Sequence, residues 1–229
     1  MTGLPYLITG GGSGVGLALA MLLSNNDLPV ILVGRDPEKL ARMQDRLPTA
    51  TVAALDVESE GFYTLLKSER LAGAFHAAGE ESVRPLQATR FIPSAPAQGL
   101  LSIARSGAVQ PGGAIVAMSS VAARRGVVGM AGYSASRAAV EGLVRALAIE
   151  LAPSKIRVNA IAAGAFHSPM HARITGGMTA ETHLLYERSH PLGFGTAKDV
   201  AEVAEFLLLY AQWVTGSIWA VDGGASAAW

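Results

Sequence analysis

The stretch Thr9-Gly10-Gly11-Gly12-Ser13-Gly14-Val15-Gly16 constrains this chain more than any other. It follows the apolar run Leu4–Thr9 and opens the helical pattern Gly14–Leu23. Its glycines let the backbone turn sharply and let an anion approach the main chain, while the helix N-terminus offers unbonded N–H groups and the positive end of its dipole. A strand, a glycine turn and a helix in that order predict an α/β sheet. They also predict a phosphate cradle built from Gly10, Gly12, Ser13, Gly14, Val15 and Gly16, the plain alternative being a flexible turn.

The rest of the chain keeps this rhythm. Apolar runs at Leu4–Thr9, Pro29–Val33, Thr51–Leu55, Gly73–Ala77, Ala114–Ser119, Ile156–Ile161 and Ser217–Val221 read as strands. Most are continuous rather than alternating, as expected of parallel strands buried on both faces. Helical patterns lie between them: Gly14–Leu23, Pro37–Leu47 after the N-cap candidate Asp36, Ala131–Leu151 up to the stop at Pro153, and Ala197–Tyr210. In the third of these Val140, Leu143, Val144, Leu147 and Leu151 recur at helical spacing. Such alternation predicts one α/β domain over residues 1–229, a doubly wound parallel sheet of about seven strands with helices on both faces. His167–Phe194 breaks the pattern with Gly176-Gly177 and four of the five histidines, so about residues 165–195 read as a lid or binding loop.

Composition removes whole classes of function. Cysteine is absent, which excludes disulfides, thiolate catalysis and Cys-ligated metal. Eighteen basic and 18 acidic side chains balance, so nothing in the charge points to nucleic acid or an anionic membrane as partner. Leu4-Pro5-Tyr6-Leu7-Ile8 runs straight into the glycines, and no apolar run approaches the roughly 18–20 residues of a membrane span. We expect a soluble, cytoplasmic protein.

Two ends of a site can be read from the residues. At the tip of the second strand, Val33-Gly34-Arg35-Asp36 puts a guanidinium where a ribose 2′-phosphate would need one. We expect NADP(H) in preference to NAD(H), with Asp36 arguing the other way. Asp56 suits either an adenine amine or the cap of the next helix. At the other end Ser119-Ser120 closes the fifth strand and Tyr133 opens the long helix, with Arg137 at i+4 on the same face. A hydroxyl, a phenol and a fixed cation make an acid/base site, since the cation stabilises phenolate. A tyrosine packed at a helix start with a solvated hydroxyl is the plainer reading.

At this point the chain resembles the short-chain dehydrogenase/reductase family over essentially its whole length. Thr9–Gly16 resembles the family's TGxxxGxG turn, Asp56-Val57 its adenine-side pair, and His76-Ala77-Ala78-Gly79 its NNAG segment in an HAAG form. Ser120 stands at the catalytic serine, and Tyr133-Ser134-Ala135-Ser136-Arg137 resembles YxxxK. Asn159–Gly164 resembles the stretch ending in Pro-Gly, Ser168 stands for the Thr beside the nicotinamide amide, and Val214-Thr215-Gly216 with Val221–Gly224 matches the closing strand. The resemblance implies a Rossmann-like fold and a nicotinamide dinucleotide contacted by the glycine turn, Arg35, Asp56, Val57, Ala78, Gly79, Tyr133, Arg137, Gly164 and Ser168. It implies Tyr133 as general acid, Ser120 as holder of the same carbonyl oxygen and residue 137 as binder of the nicotinamide ribose. It further implies a homodimer or homotetramer through Ala131–Leu151, whose small residues Ala138, Ala139, Gly142, Ala146 and Ala148 lie off the apolar stripe.

Two departures stand out. Arg137 replaces the family lysine; it keeps the charge and the donors but does not release a proton. The family's asparagine about 25 residues before the serine has no counterpart, since no Asn occurs between Asn26 and Asn159; Ser94 or Gln98 stands nearest to the task of holding a water. The expected function is reduction of a carbonyl, or oxidation of an alcohol, on a small or medium organic substrate. The rival is an NADP(H)-binding protein with little turnover, serving as a sensor or assembly partner; an imine reductase is a third reading. No metal site is expected from His167 and His171. Arg124-Arg125 read as a solvated loop pair in preference to an anchor for an anionic substrate, and Phe166, Met170, Met178, Tyr186 and Phe194 as pocket or lid packing.

Overall fold

The computed structural model describes residues 3–47, 49–79 and 95–228. Among them, in chain order, run β1 (Tyr6–Thr9), α1 (Gly14–Asn25), β2 (Val30–Gly34), α2 (Pro37–Gln44), β3 (Ala50–Ala54), α3 (Glu60–Ser68), β4 (Leu71–His76), α4 (Ala95–Ser106), β5 (Val109–Ser120), α5 (Ala131–Leu151) and β6 (Arg157–Ala163). The lid follows as β7 (Phe166–His167), α6 (Pro169–Thr175), α7 (Ala180–Arg188) and β8 (Gly195–Thr196), before α8 (Ala197–Leu209) and β9 (Ile218–Val221) close the chain. Seven strands form one parallel sheet in the order β3-β2-β1-β4-β5-β6-β9. This is the doubly wound, Rossmann-like architecture expected from the apolar runs. The order reverses between β1 and β4, so a crevice opens there beyond the carboxyl ends of the strands.

Alternation along each strand builds two cores. Ile8, Val30, Leu32, Val116 and Met118 face α1 and α8, which contribute Leu19, Leu23, Val200, Ala204 and Leu207. Their neighbours Leu7, Ile31, Val33, Ile115 and Ala117 face the other way, against Phe62 of α3, Leu100 and Ile103 of α4, and Val140, Val144 and Leu147 of α5. Both faces are dry, which is why the strands lack polar alternation.

Local chemistry fixes the helix ends. Asp36 caps α2 by accepting from Lys39 N at 3.0 Å, with Pro37 in the first turn. Thr196 and Asp199 close a reciprocal capping box on α8. Pro153 lies in a 3-10 turn, Ala152–Ser154, directly after α5. The lid, expected as a loop, holds two short helices, and β7 pairs with β8 so that its two ends meet. β5 starts earlier than expected, because Pro111-Gly112-Gly113 is absorbed where its register against β4 shifts. Among the described residues no helix is long and apolar enough to cross a membrane.

Candidate active site

The carboxyl ends of the strands open into a cleft of about 1770 Å³. That exceeds the roughly 300–1,000 Å³ of ordinary ligand pockets and leaves room for a dinucleotide and a second molecule. Every residue named above for cofactor or catalysis lines it: Gly10, Gly12, Ser13, Gly14, Val15, Gly16, Arg35, Asp56, Val57, Ala78, Gly79, Ser120, Tyr133, Arg137, Gly164 and Ser168.

The glycine turn has the form of a cradle. A Cβ on Gly16 would stand 2.5 Å from the Gly10 carbonyl oxygen, so α1 can leave β1 this tightly only with glycine there. Gly14 sits at φ +55° with nothing within 4 Å of where a side chain would be, open towards the cleft. Ser13 takes the N-cap position in extended conformation without a side-chain cap bond, and no acidic residue occupies the first turn of α1. The positive end of the helix therefore has no built-in anion, and the site fits a pyrophosphate.

At the tip of β2, Arg35 is exposed and borders the cleft. Asp36 is engaged elsewhere: besides capping α2 it pairs with Lys39 Nζ at 3.3 Å. The Lys39 N–H is the chief reason its carboxyl is held below the usual range. Asp56 accepts from Glu58 N at 2.9 Å. The cap of α3 falls to Ser59 instead, whose Oγ accepts from Phe62 N at 3.1 Å.

Next to β1, His76 is a brace. Its ring is buried, with Nδ1 2.8 Å from Thr9 Oγ1 and Nε2 2.9 Å from Pro96 O. The carbonyl can only accept, so Nε2 carries the proton. Thr9 then donates to Nδ1 while accepting Ala78 N–H at 3.1 Å. Burial pushes His76 down to about 4; the Pro96 carbonyl opposes this and the Arg137 charge adds to it. The neutral ring thus ties β1 and β4 to the start of α4. Gly99 is glycine for the same reason, since a Cβ there would lie 2.3 Å from His76 Cε1. Nothing in the HAAG resemblance announced this role.

Ser120 ends β5 almost buried, and its Oγ accepts from Ala122 N at 3.2 Å. The hydroxyl proton has no acceptor among the described residues and is available to a ligand. Tyr133 opens α5, half-buried on the same cleft. The Arg137 guanidinium carbon lies 4.9 Å from the Tyr133 ring centroid, a cation–π stack. Arg137 is 5% exposed; its Nη1 donates to Met118 O at 3.0 Å, and its buried Nε has no acceptor among the described residues. Its Nη2 occupies space that exists because residue 79 is glycine: a Cβ there would meet it at 2.9 Å. Gln98 is exposed on α4 and does not reach the cleft, so it holds no water for the site; Pro96 lines the wall there. Ser94 lies outside the described residues.

Tertiary contacts account for several residues that the sequence left without a role. Glu141, buried one turn beyond Arg137, accepts from Ser119 Oγ at 3.2 Å, Arg124 Nε at 3.0 Å and Arg145 Nη2 at 3.2 Å. Arg124 and Arg125 are both exposed, as a solvated loop pair would be; within that setting Arg124 is also tied to Glu141, and Arg125 donates to the Ala225 carbonyl across the cleft. In the lid, Phe166, Met170, Met178 and Tyr186 line the cleft. Phe194 instead sits among His167, His171, His183 and His190, with ring centroids 6.0, 4.6, 5.7 and 5.3 Å away. Burial, then the like charges of His167, His183 and His190, hold His171 below its ordinary value. Ser168 caps α6 by accepting from His171 N at 3.0 Å. Ala148, expected on the outer face of α5, is buried against the sheet side, where a Cβ on Gly216 would meet it.

Comparison with known proteins agrees with this fold. The family model described as enoyl-(acyl carrier protein) reductase matches residues 94–226. Carbonyl reductase family member 4 from Danio rerio is 31% identical over 241 residues, covering 95% of this chain and 96% of that one. A short-chain type dehydrogenase/reductase from Mycobacterium ulcerans superposes with a TM-score of 0.88 at 30% identity, over 99% of this chain and 90% of that one. ElxO with NADP bound superposes with a TM-score of 0.84 at 26% identity, over 98% of this chain and 99% of that one. With a structural neighbour that superposes over nearly the whole fold and relatives spanning nearly its full length, the chain belongs to the short-chain dehydrogenase/reductase family of oxidoreductases.

Proposed function

We propose that this protein is an NADP(H)-dependent reductase of a carbonyl group, or in reverse a dehydrogenase of an alcohol, acting on a small or medium organic substrate. The observation that carries the reading is the convergence of Ser120, Tyr133 and Arg137 on the cleft that the glycine turn also lines. Gly10, Gly12, Ser13, Gly14, Val15 and Gly16 would cradle the pyrophosphate, Arg35 the 2′-phosphate, and Asp56 with Val57 the adenine. Ala78, Gly79, Gly164 and Ser168 would flank the nicotinamide half. Asp36, engaged as cap and ion-pair partner, is a poor ligand for a ribose 2′-hydroxyl, which favours the phosphorylated dinucleotide. ElxO, a neighbour in fold, is itself described with NADP bound.

The chemistry such a dinucleotide brings is hydride transfer at its nicotinamide ring. The chain supplies the rest. Ser120 donates its free hydroxyl proton to the carbonyl oxygen and fixes its position. Tyr133 hands the same oxygen a proton as the alcohol forms, and the phenolate left behind faces the Arg137 charge stacked on its ring. Arg137 also offers donors to the nicotinamide ribose. Because arginine keeps its proton, Tyr133 is recharged from solvent and not through residue 137.

A second reading, a dinucleotide-binding protein without turnover, draws on the same residue. Arg137 Nη1 is committed to Met118 O, and the guanidinium lies over the Tyr133 ring. NADPH oxidation measured across a panel of ketones and diketones, with alcohols and NADP for the reverse reaction, separates the two. Turnover with NADPH exceeding that with NADH supports the reductase. Tight NADPH binding without oxidation across the panel refutes it.

For assembly we propose a homodimer or homotetramer. Ala138, Ala139, Gly142, Ala146 and Ile149 are exposed along one side of α5, and Ile149 is 75% exposed. A smooth face of this kind suits a second copy of the helix across a two-fold axis.

A further inference from the structure

One of the bonds that fasten the lid at its base comes from a histidine, beside the Gly195 N–H bond to the Ala165 carbonyl at 3.1 Å and the pairing of β7 with β8. His190, just beyond α7, is 5% exposed, and its Nε2 accepts the Ala165 N–H at 3.0 Å. A ring nitrogen that accepts carries no proton, so the proton sits on Nδ1. Nδ1 lies 3.2 Å from the Tyr186 carbonyl, to which it donates, and 3.1 Å from Ser189 Oγ. The geometry admits only the neutral Nδ1–H tautomer: an imidazolium would set an N–H against the Ala165 N–H.

This contact joins the two ends of the lid at the cleft. Ala165 follows Gly164 at the tip of β6, and Ala165, Phe166, Ser168, Tyr186 and His190 all border the cleft. Leu192 N donates to Gly223 O at 3.0 Å, docking the same end of the lid on the turn after β9. Titratable groups face His190 from each element packed on it. His171 comes from α6, with its own charged form disfavoured; Tyr186 comes from α7, its ring 5.5 Å away. The Asp222 carboxylate comes from the turn after β9; burial pushes it up, but hydrogen bonds from Ser226 and the Gly224 N–H hold it below its ordinary value. Through Phe194, which all four lid histidines approach, His167 and His183 join the same cluster.

We propose that His190 is a positioning residue: as the neutral tautomer it helps to fasten the end of the lid to Ala165, and protonation of its ring breaks that hydrogen bond and loosens the lid wall of the substrate cleft, leaving it to the Gly195 and Leu192 bonds. The kinetic half of this inference rests on the reductase reading; the fastening does not. The test compares wild type, His190→Gln and His190→Leu by amide exchange at Ala165, expressed as a protection factor, and by NADPH-dependent turnover. Both are followed from about pH 8 to about pH 5, across the ordinary histidine range.

In wild type the Ala165 protection factor should fall about tenfold or more on acidification, and KM should rise over the same interval by more than kcat falls. Glutamine presents an acceptor where Nε2 stood and does not titrate. His190→Gln should therefore recover much of the protection and lose the acid dependence of both readouts. His190→Leu should lack the protection at every pH. Protection that ignores pH in wild type, or that falls equally in His190→Gln, overturns the inference whatever the protein turns over. An intact amide response in a protein that oxidises no NADPH supports the fastening and overturns the reductase reading instead.

Discussion

Replacing Gly79 with alanine should dislodge Arg137. The new Cβ would stand 2.9 Å from Arg137 Nη2 and 2.8 Å from Pro96 Cγ, both closer than the 3.0 Å that real Cβ atoms keep. The φ of Gly79 is not positive, so alanine adds no backbone strain and the effect is steric alone. Overpacking at such a site costs about 1–3 kcal/mol, which for a chain of this size lowers Tm by about 2–4 °C per kcal/mol. Part of the loss is the Met118 carbonyl, which would be buried without its Arg137 donor. In an Arg137→Lys background the planar head is gone and only the Pro96 ring must give way. The two changes should therefore be non-additive, with a coupling of about 1 kcal/mol or more in a double-mutant cycle. Urea denaturation of the four proteins measures it. Additive losses, or a Gly79→Ala cost below about 0.5 kcal/mol, would refute the placement of the guanidinium against residue 79.

Three further outcomes follow from the same contacts. Arg35→Ala should weaken NADPH by about 1–3 kcal/mol and NADH far less, measured by titration calorimetry; equal losses would show that Arg35 meets no phosphate. His76 is depressed in the fold from 6.5 to about 4, so between those values the unfolded chain binds a proton that the native one does not. The stability it contributes is complete above pH 6.5 and declines as pH falls towards 4, by on the order of 2–3 kcal/mol; in His76→Leu the acid slope of the urea midpoint should be shallower. Ile149→Glu, on the exposed face of α5, should shift sedimentation to a smaller species without changing far-UV circular dichroism, and an unchanged species would remove α5 from the interface.

How much of this could be read before the structure depended on how local the cause was. The inner strands were legible because a parallel strand buried on both faces is a continuous apolar run, the partly exposed edge strands β3 and β9 because their runs are apolar too, and α5 because its stripe from Val140 to Leu151 is long. Four helices were not read, two of them, α6 and α7, in the lid. α3 buries only Phe62 and Leu66, and α4 contains Pro96 and Gly99, residues that ordinarily argue against a helix. Contiguous or fixed-spacing motifs, the glycine turn and Tyr133 with Arg137, reached the cleft together. The partners that hold them did not show, since Glu141 with Ser119 and Arg124, His76 with Pro96, and His190 with Ala165 meet only after folding. The contacts of the exposed Arg124-Arg125 pair were hidden for the same reason: the carboxylate lies 17 residues on and the carbonyl 100.

The central claim is that Tyr133 supplies the proton for a reduction driven by NADPH. Steady-state turnover and NADPH affinity of Tyr133→Phe, measured beside wild type on the best ketone of the panel, test it most directly. Loss of the phenol should lower kcat by at least about 100-fold while the NADPH Kd stays within about threefold, because the hydroxyl acts in the transition state and adds little to ground-state binding. A Tyr133→Phe enzyme that keeps the wild-type rate would contradict it, since the proton would then come from elsewhere in the cleft.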